Sequence, residues 1–238
     1  REAMTAKNET RINEWFVPKF GPTKFRIFVG LLFLPYTGMC ISFAVIGSLL
    51  AGDIAWDRVG AIALIYALAL GVSAHIADSI GSKKVKPWGS YFTKAQLMAL
   101  MSATLVAAYA IGTYYIVSFV PLLALVAVLE GFFLFAYNFE TFGGRFHNNF
   151  WFAVSWGALP ALAGYIMQTD SVSAIALAVS AATGFVSYLE IKMSRPYKEL
   201  KKGGEDQRAK RLENGLKAVS VGTIAFALAM MAYRIILS

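Results

Sequence analysis

The sequence predicts an all-α, polytopic membrane bundle of seven transmembrane helices with a cytoplasmic N-terminus. Three observations predict it. Of the 238 residues, 58% are hydrophobic and 15% charged, against about 25% charged in an ordinary soluble domain; the mean hydropathy is +0.58. The apolar residues gather into seven segments, each long enough to cross ~30 Å of hydrocarbon. The Lys and Arg residues fall almost entirely on alternate connections. A disordered chain, a coiled coil and a typical soluble enzyme are thereby excluded. The single cysteine, Cys40, excludes an intrachain disulfide and any zinc or iron–sulfur site built from cysteines.

Residues 1–26 are polar and charged, with no apolar stretch of signal-peptide type. Within them, residues 4–20 read either as an interfacial helix, with Ile12, Trp15 and Phe16 toward lipid, or as an anchoring tail. The rest, 27–238, reads as one helical bundle with spans at 27–50, 59–78, 95–117, 120–138, 149–168, 172–191 and 216–236. Spanning segments must satisfy their own backbone hydrogen bonds, so these are helices. Pro35 and Pro160 fall inside spans and predict kinks. Pro196 falls in a basic cytoplasmic loop at 192–215.

The charges give the topology. Six Lys or Arg residues precede the first span, four follow the second, one (Arg145) follows the fourth and nine follow the sixth. Only Arg58 and Arg234 fall on the opposite side, which carries Asp53, Asp57 and Asp170. This is the positive-inside pattern for seven spans, with the C-terminus outside. The net charge of +8 therefore reports orientation and contact with anionic lipid headgroups, not nucleic acid. The expected location is a prokaryotic plasma membrane.

Ionisable side chains inside spans are costly and mark candidate functional positions. His75 and Asp78, at i and i+3, share one helical face near the cytoplasmic end of the second span. They could bind a metal or share a proton; the plainer reading is a helix-end pair near water. Glu130, mid-span, must be protonated, paired or facing a polar cavity. The tract 137–152 gathers Asn138, Glu140, Arg145, His147, Asn148 and Asn149 around Gly143–Gly144. Arg145 could grip a carboxylate or phosphate; the plainer reading is a polar turn. Glu190, Lys192, Arg195 and Lys198 surround the end of the sixth span and could face an anionic headgroup or simply mark the inside. His75, Asp78, Glu140, His147 and Glu190 all map to the cytoplasmic face, so one cavity opening there could collect several of them.

In order and placement these residues resemble the UbiA superfamily of intramembrane prenyltransferases. AHIADSIGSKK (74–84) stands where that family has its first Asp-rich motif, and Glu190–Glu199 where it has its second. Against NxxxDxxxD, Asp78 matches the middle acid, with Ala74 and Ser82 at the other two positions; against DxxxD, Glu190 is followed by Ser194. The resemblance implies Mg²⁺ held by His75, Asp78 and Glu190. It implies a substrate diphosphate neutralised by Lys83, Arg145 and Arg195, with Asn138 also in contact, and catalysis by Asp78, Glu140 and His147. The ligand would be an isoprenoid or other membrane lipid, bound at the cytoplasmic face, with prenyl transfer as the implied reaction.

The competing reading is a non-catalytic membrane subunit or scaffold of a larger complex. Small residues in spans 2, 5 and 6 permit close packing with other subunits. A retinal photoreceptor is excluded, because the last span has no mid-helix lysine.

Overall fold

The structure is a computed structural model that describes residues 11–81 and 91–237. These residues are largely helical, with no strand among them. The helices are α1 (Thr23–Leu31), α2 (Leu34–Ser48), α3 (Trp56–Gly81), α4 (Lys94–Ser118), α5 (Leu123–Asn138), α6 (Asn149–Thr169), α7 (Ala174–Lys202) and α8 (Asp206–Leu237). Six runs are long and apolar enough to cross a membrane, counting α1 and α2 as one, Thr23–Ser48. By length and composition the chain is therefore a multi-pass membrane protein. The remaining helix, α5, is apolar but has 16 residues, about 24 Å at 1.5 Å per residue.

Cross-helix hydrogen bonds define the two ends of the bundle. At one end Ala55 and Gln168 exchange bonds of 2.9 and 3.2 Å, and Leu122 N–H donates to Asp170 Oδ1 at 2.9 Å. There Arg234 also donates to the carbonyls of Ala51 and Gly52 at 2.7 and 2.6 Å. At the other, basic end the carboxyl terminus of α5 approaches that of α3 so closely that a side chain on Gly81 would strike Asn138 O. Helix α5 thus runs the length of the bundle like its neighbours.

Helices α2 and α6 form the central pair. A Cβ on Gly47 would strike Ala161 O, and one on Gly164 would strike Ala44 O, so the two backbones meet with no side chain between them. Ser48 Oγ donates to Gly164 O at 3.0 Å and Cys40 Sγ to Trp156 O at 3.2 Å across the same seam. In an α register Trp156 O would accept from residue 160, but Pro160 has no N–H.

The structure corrects three local expectations. Pro35 does not kink a continuous helix; the chain breaks at Leu32–Phe33, with Phe33 left-handed (φ 47°), and Pro35 sits in the first turn of α2. A proline is welcome there because the first N–H groups of a helix have no partner. Pro160 lies inside its span as expected and follows a π-helical stretch, Val154–Ala158, within α6. The basic segment 192–215 is not a loop. Helix α7 runs to Lys202, through Pro196, and α8 begins at Asp206. Both helices extend past the apolar segments because ion pairs hold them: Lys201, Lys210 and Lys217 lie 3.9, 2.8 and 2.6 Å from the buried Glu213. Finally, of the 4–20 segment expected as an interfacial helix or a tail, 4–10 lie outside the described residues, and 11–22 form a short 3-10 turn and an irregular strap rather than a helix. Ile12 and Phe16 pack on the core, and Trp15 packs beside Tyr197 and Leu216, so the segment spends its apolar side chains on the bundle.

The α2–α6 seam predicts a contrast between two glycines. Gly164→Ala should destabilise by about 1–3 kcal/mol through overpacking. Gly60→Ala, exposed and with open space around its Cβ, should be neutral or stabilising by up to about 1 kcal/mol, because Gly is a poor helix former. Reversible unfolding in mixed detergent micelles measures both.

Candidate functional site

The site is built where the breaks in regular structure occur. Helix α3 turns π-helical over Ala67–Ala74, and His75 follows immediately. The α1–α2 break turns the Phe33 ring onto His75, stacked at 5.3 Å between centroids. The π stretch of α6 carries Trp156, 5.1 Å from His75 and 5.5 Å from Tyr36. Phe152 completes the group, stacked at 5.5 Å on Tyr36 and 5.6 Å on Trp156. Left-handed backbone at a residue other than glycine costs about 1–3 kcal/mol and persists only where packing enforces it. At Phe33 that packing includes the Arg11 guanidinium, 4.6 Å from the ring centroid.

These rings wall one side of a cavity of about 170 Å³ at the basic end. Its other side is polar. Helix α3 contributes Asp78, exposed at the mouth; α7 contributes Glu190, Arg195 and Lys198; the strap contributes Arg11; the connection after α5 contributes His147. Three cations, two carboxylates and two imidazoles therefore face one space. Glu190 is buried, and its Oε2 has no hydrogen-bond partner among the described residues.

Hydrogen bonds fix the tautomers. A carbonyl only accepts, so His147 Nδ1 donates to Tyr137 O at 2.9 Å, and Nε2 is the ring nitrogen left for other chemistry. Thr37 Oγ1 spends its proton on Leu32 O at 2.7 Å, so it accepts from His75 Nε2 at 3.3 Å. His75 thus presents Nδ1.

The strap that brings Arg11 to the cavity is held at several points. Arg11 Nε pairs with Glu14 Oε1 at 3.2 Å, and the buried Tyr197 hydroxyl donates to Glu14 Oε2 at 2.6 Å. Arg26 donates to Pro18 O and Ile12 O at 2.7 and 3.2 Å. Lys19 donates to the carbonyls of Asn13 and Glu14; burial lowers its pKa, with the Arg26 charge adding to the effect.

Of the residues expected from sequence, His75, Asp78, His147, Glu190 and Arg195 line this cavity. Glu140 and Arg145 do not; both are exposed on the turn after α5, where Glu140 (φ 48°), Gly143 (φ 67°) and Gly144 (φ 76°) reverse the chain. Asn138 is buried on its own helix, donating to Leu134 O at 2.7 Å. Asn148 caps α6 through the N–H groups of Phe150 and Trp151 at 3.0 and 3.1 Å. Two of the tract's polar residues, Asn138 and Asn148, therefore serve the helices themselves. Lys83 lies outside the described residues. Sequence reasoning placed no role on Arg11, Phe33, Tyr36 or Trp156; Lys198 it placed only in a headgroup cluster.

The expected metal set does not assemble. Among the described residues no three His, Cys, Asp or Glu side chains stand close enough to hold a metal ion together. His75 is engaged by Thr37, and Asp78 and Glu190 share the cavity with Arg11, Arg195 and Lys198. A donor set mixed with three cations suits an anion better than Mg²⁺, so no step below runs through a metal.

The Tyr197–Glu14 bond predicts the behaviour of the strap. Tyr197→Phe should cost about 1.5–3 kcal/mol, the range for a hydrogen bond to a charged group. It should also speed cleavage within residues 11–22 in limited proteolysis, with the helices left intact.

Comparison of the chain with protein-family models, with curated proteins and with solved structures finds no match.

Proposed function

We propose that the chain is a seven-pass membrane protein, its basic end cytoplasmic, that binds the anionic head of an isoprenoid diphosphate or related lipid in this cavity. Helix α5 is the seventh pass in this reading, short but running between the same two ends as the others. One observation carries the proposal: Arg11, Arg195 and Lys198 converge on a space floored by Tyr36, Phe152 and Trp156. Cations bind phosphoryl oxygens through charge-assisted bonds, with Arg able to do so in a bidentate way. The aromatic floor gives the first apolar units of the chain a dry surface.

The reaction such a site favours is heterolysis of an allylic C–O bond. The electron pair leaves with the diphosphate, whose developing charge the three cations stabilise. The allylic carbocation is flanked by aromatic faces and is captured by an acceptor. The acceptor then gives up a proton, for which His147 Nε2 and Asp78 are the available bases. The order of the acids along the chain, with Asp78 closing the second span and Glu190 the sixth, supports a UbiA-like organisation. The carriers of charge, however, are arginine and lysine rather than Asp-held Mg²⁺.

The test is calorimetric titration of the purified protein with farnesyl diphosphate, with and without Mg²⁺, against inorganic diphosphate and farnesol. Binding that survives chelation and weakens at least tenfold in both Arg195→Ala and Lys198→Ala supports the reading; tenfold is about 1.4 kcal/mol. Binding that needs Mg²⁺ and fails in Asp78→Asn would return the diphosphate to a metal-held site. No binding to folded protein would leave the non-catalytic subunit or scaffold as the reading to pursue, through the proteins that copurify with it.

A further inference from the structure

A second polar group lies deep in the bundle and belongs to none of this. Glu130 sits on α5, seven residues before Tyr137, about 10 Å further from the basic end at 1.5 Å per residue. It lines a separate cavity of about 70 Å³ enclosed mainly by α3, α4 and α5. The wall is aliphatic, with Ile62, Leu105, Ile116, Val126 and Leu134 prominent; its only other side-chain oxygens belong to Tyr66, Tyr109 and Thr113. The Tyr66 hydroxyl donates to Glu130 Oε1 at 2.9 Å, and the Tyr109 hydroxyl donates to Ala127 O at 2.9 Å. Both phenolic protons are therefore committed. Glu130 Oε2 is buried and has no partner among the described residues.

An unpartnered carboxyl oxygen in apolar surroundings costs stability, and native proteins rarely keep one without a use. A second feature says from where a partner could come. The outer surface of α4 and α5 over this cavity is apolar and exposed, with Val106, Val117, Leu125 and Val128 each more than three-fifths exposed. In a membrane that surface faces the acyl chains. Gly131 lets the Tyr109 ring pass across α5, where a Cβ would strike its hydroxyl. The α4–α5 crossing is thus close, and the space lies behind it rather than being filled by side chains.

We propose that this cavity is a binding site for a neutral lipid-soluble molecule bearing one hydroxyl or carbonyl oxygen, which pairs with Glu130 Oε2. Neutrality follows from the location, since a charged ligand would bring a desolvated ion into the hydrocarbon region. A single polar atom suffices because Glu130 Oε2 is the buried polar atom of this wall without a partner among the described residues; Thr113, the remaining hydroxyl, belongs to an exposed residue. The ligand reaches the site laterally from the bilayer, not through the basic-end cavity.

The test uses the whole protein in nanodiscs with two photoactivatable probes that differ in one atom group: a diazirine-bearing hexadecanol and the matching hexadecane. The alcohol is expected to label residues 105–116 and 123–134 at least fivefold more than the alkane, and unlabelled hexadecanol should compete. Glu130→Leu should abolish that preference, whereas Glu130→Gln, which keeps both an acceptor for Tyr66 and a donor for the ligand, should retain it. Equal labelling by the two probes in the unaltered protein would overturn the proposal, as would an undiminished preference in folded Glu130→Leu. A Glu130 that merely clamps Tyr66 would change thermal stability and leave the probe ratio near one. Diphosphate binding at the basic end does not enter this readout, so the two readings fail separately.

Discussion

The rest of the architecture depends on the backbone-to-backbone contact between α2 and α6. Where Gly47 meets Ala161 and Gly164 meets Ala44, there is room for no side chain. In a bilayer, helices gain little from hiding apolar surface from one another, because lipid tails are as apolar as leucine. Close approach, dispersion and short interhelical hydrogen bonds must bring them together instead. The bonds from Ser48 to Gly164 O and from Cys40 to Trp156 O are of that kind. Loosening this seam would shift Phe152 and Trp156 relative to Tyr36, Phe33 and His75, and so the aromatic wall of the cavity.

That wall is made of departures from regular helix. A straight α3 and a straight α6 would present the residues after their π stretches on other faces. A continuous first span would keep Phe33 from lying between Arg11 and His75. Each irregularity leaves a carbonyl without its usual helical donor or a backbone in a costly conformation, and each is answered locally: Thr37 donates to Leu32 O, Cys40 to Trp156 O, and Arg11 stacks on Phe33. Concentrating such strain at one end of an otherwise regular bundle is common where a protein must hold a ligand rather than only itself.

Hydropathy and charge made the apolar helices legible in the sequence, along with the basic end and the gathering there of His75, Asp78, His147 and Glu190. These signals are local, and the membrane enforces them. What escaped depends on contacts distant along the chain. Arg11 reads as part of a charged tail until Tyr197, far away in sequence, anchors its strap through Glu14. Tyr36 and Trp156 read as apolar filling until two helices bring them together. The polar tract at 137–152 misled in the opposite direction. Asn138 bonds back to Leu134 O on its own helix and Asn148 caps α6, while Glu140 and Arg145 sit outside the cavity on a turn whose glycines serve chain reversal. The metal expectation rests on chain position alone: Asp78 and Glu190 stand where the resemblance places them, but they share their space with three cations, which no motif spacing reveals.

The strap has a consequence for how this molecule can diversify. It supplies one cation of the cavity, yet it lies outside the helices that carry the packing. A substitution or short insertion among residues 11–22 would alter charge and shape at the mouth while the α2–α6 seam stayed as it is. Ligand preference and the central seam are thereby partly uncoupled, so one scaffold can explore different polar headgroups wherever the Glu14–Tyr197 bond and the packing of Ile12, Phe16 and Val17 are kept.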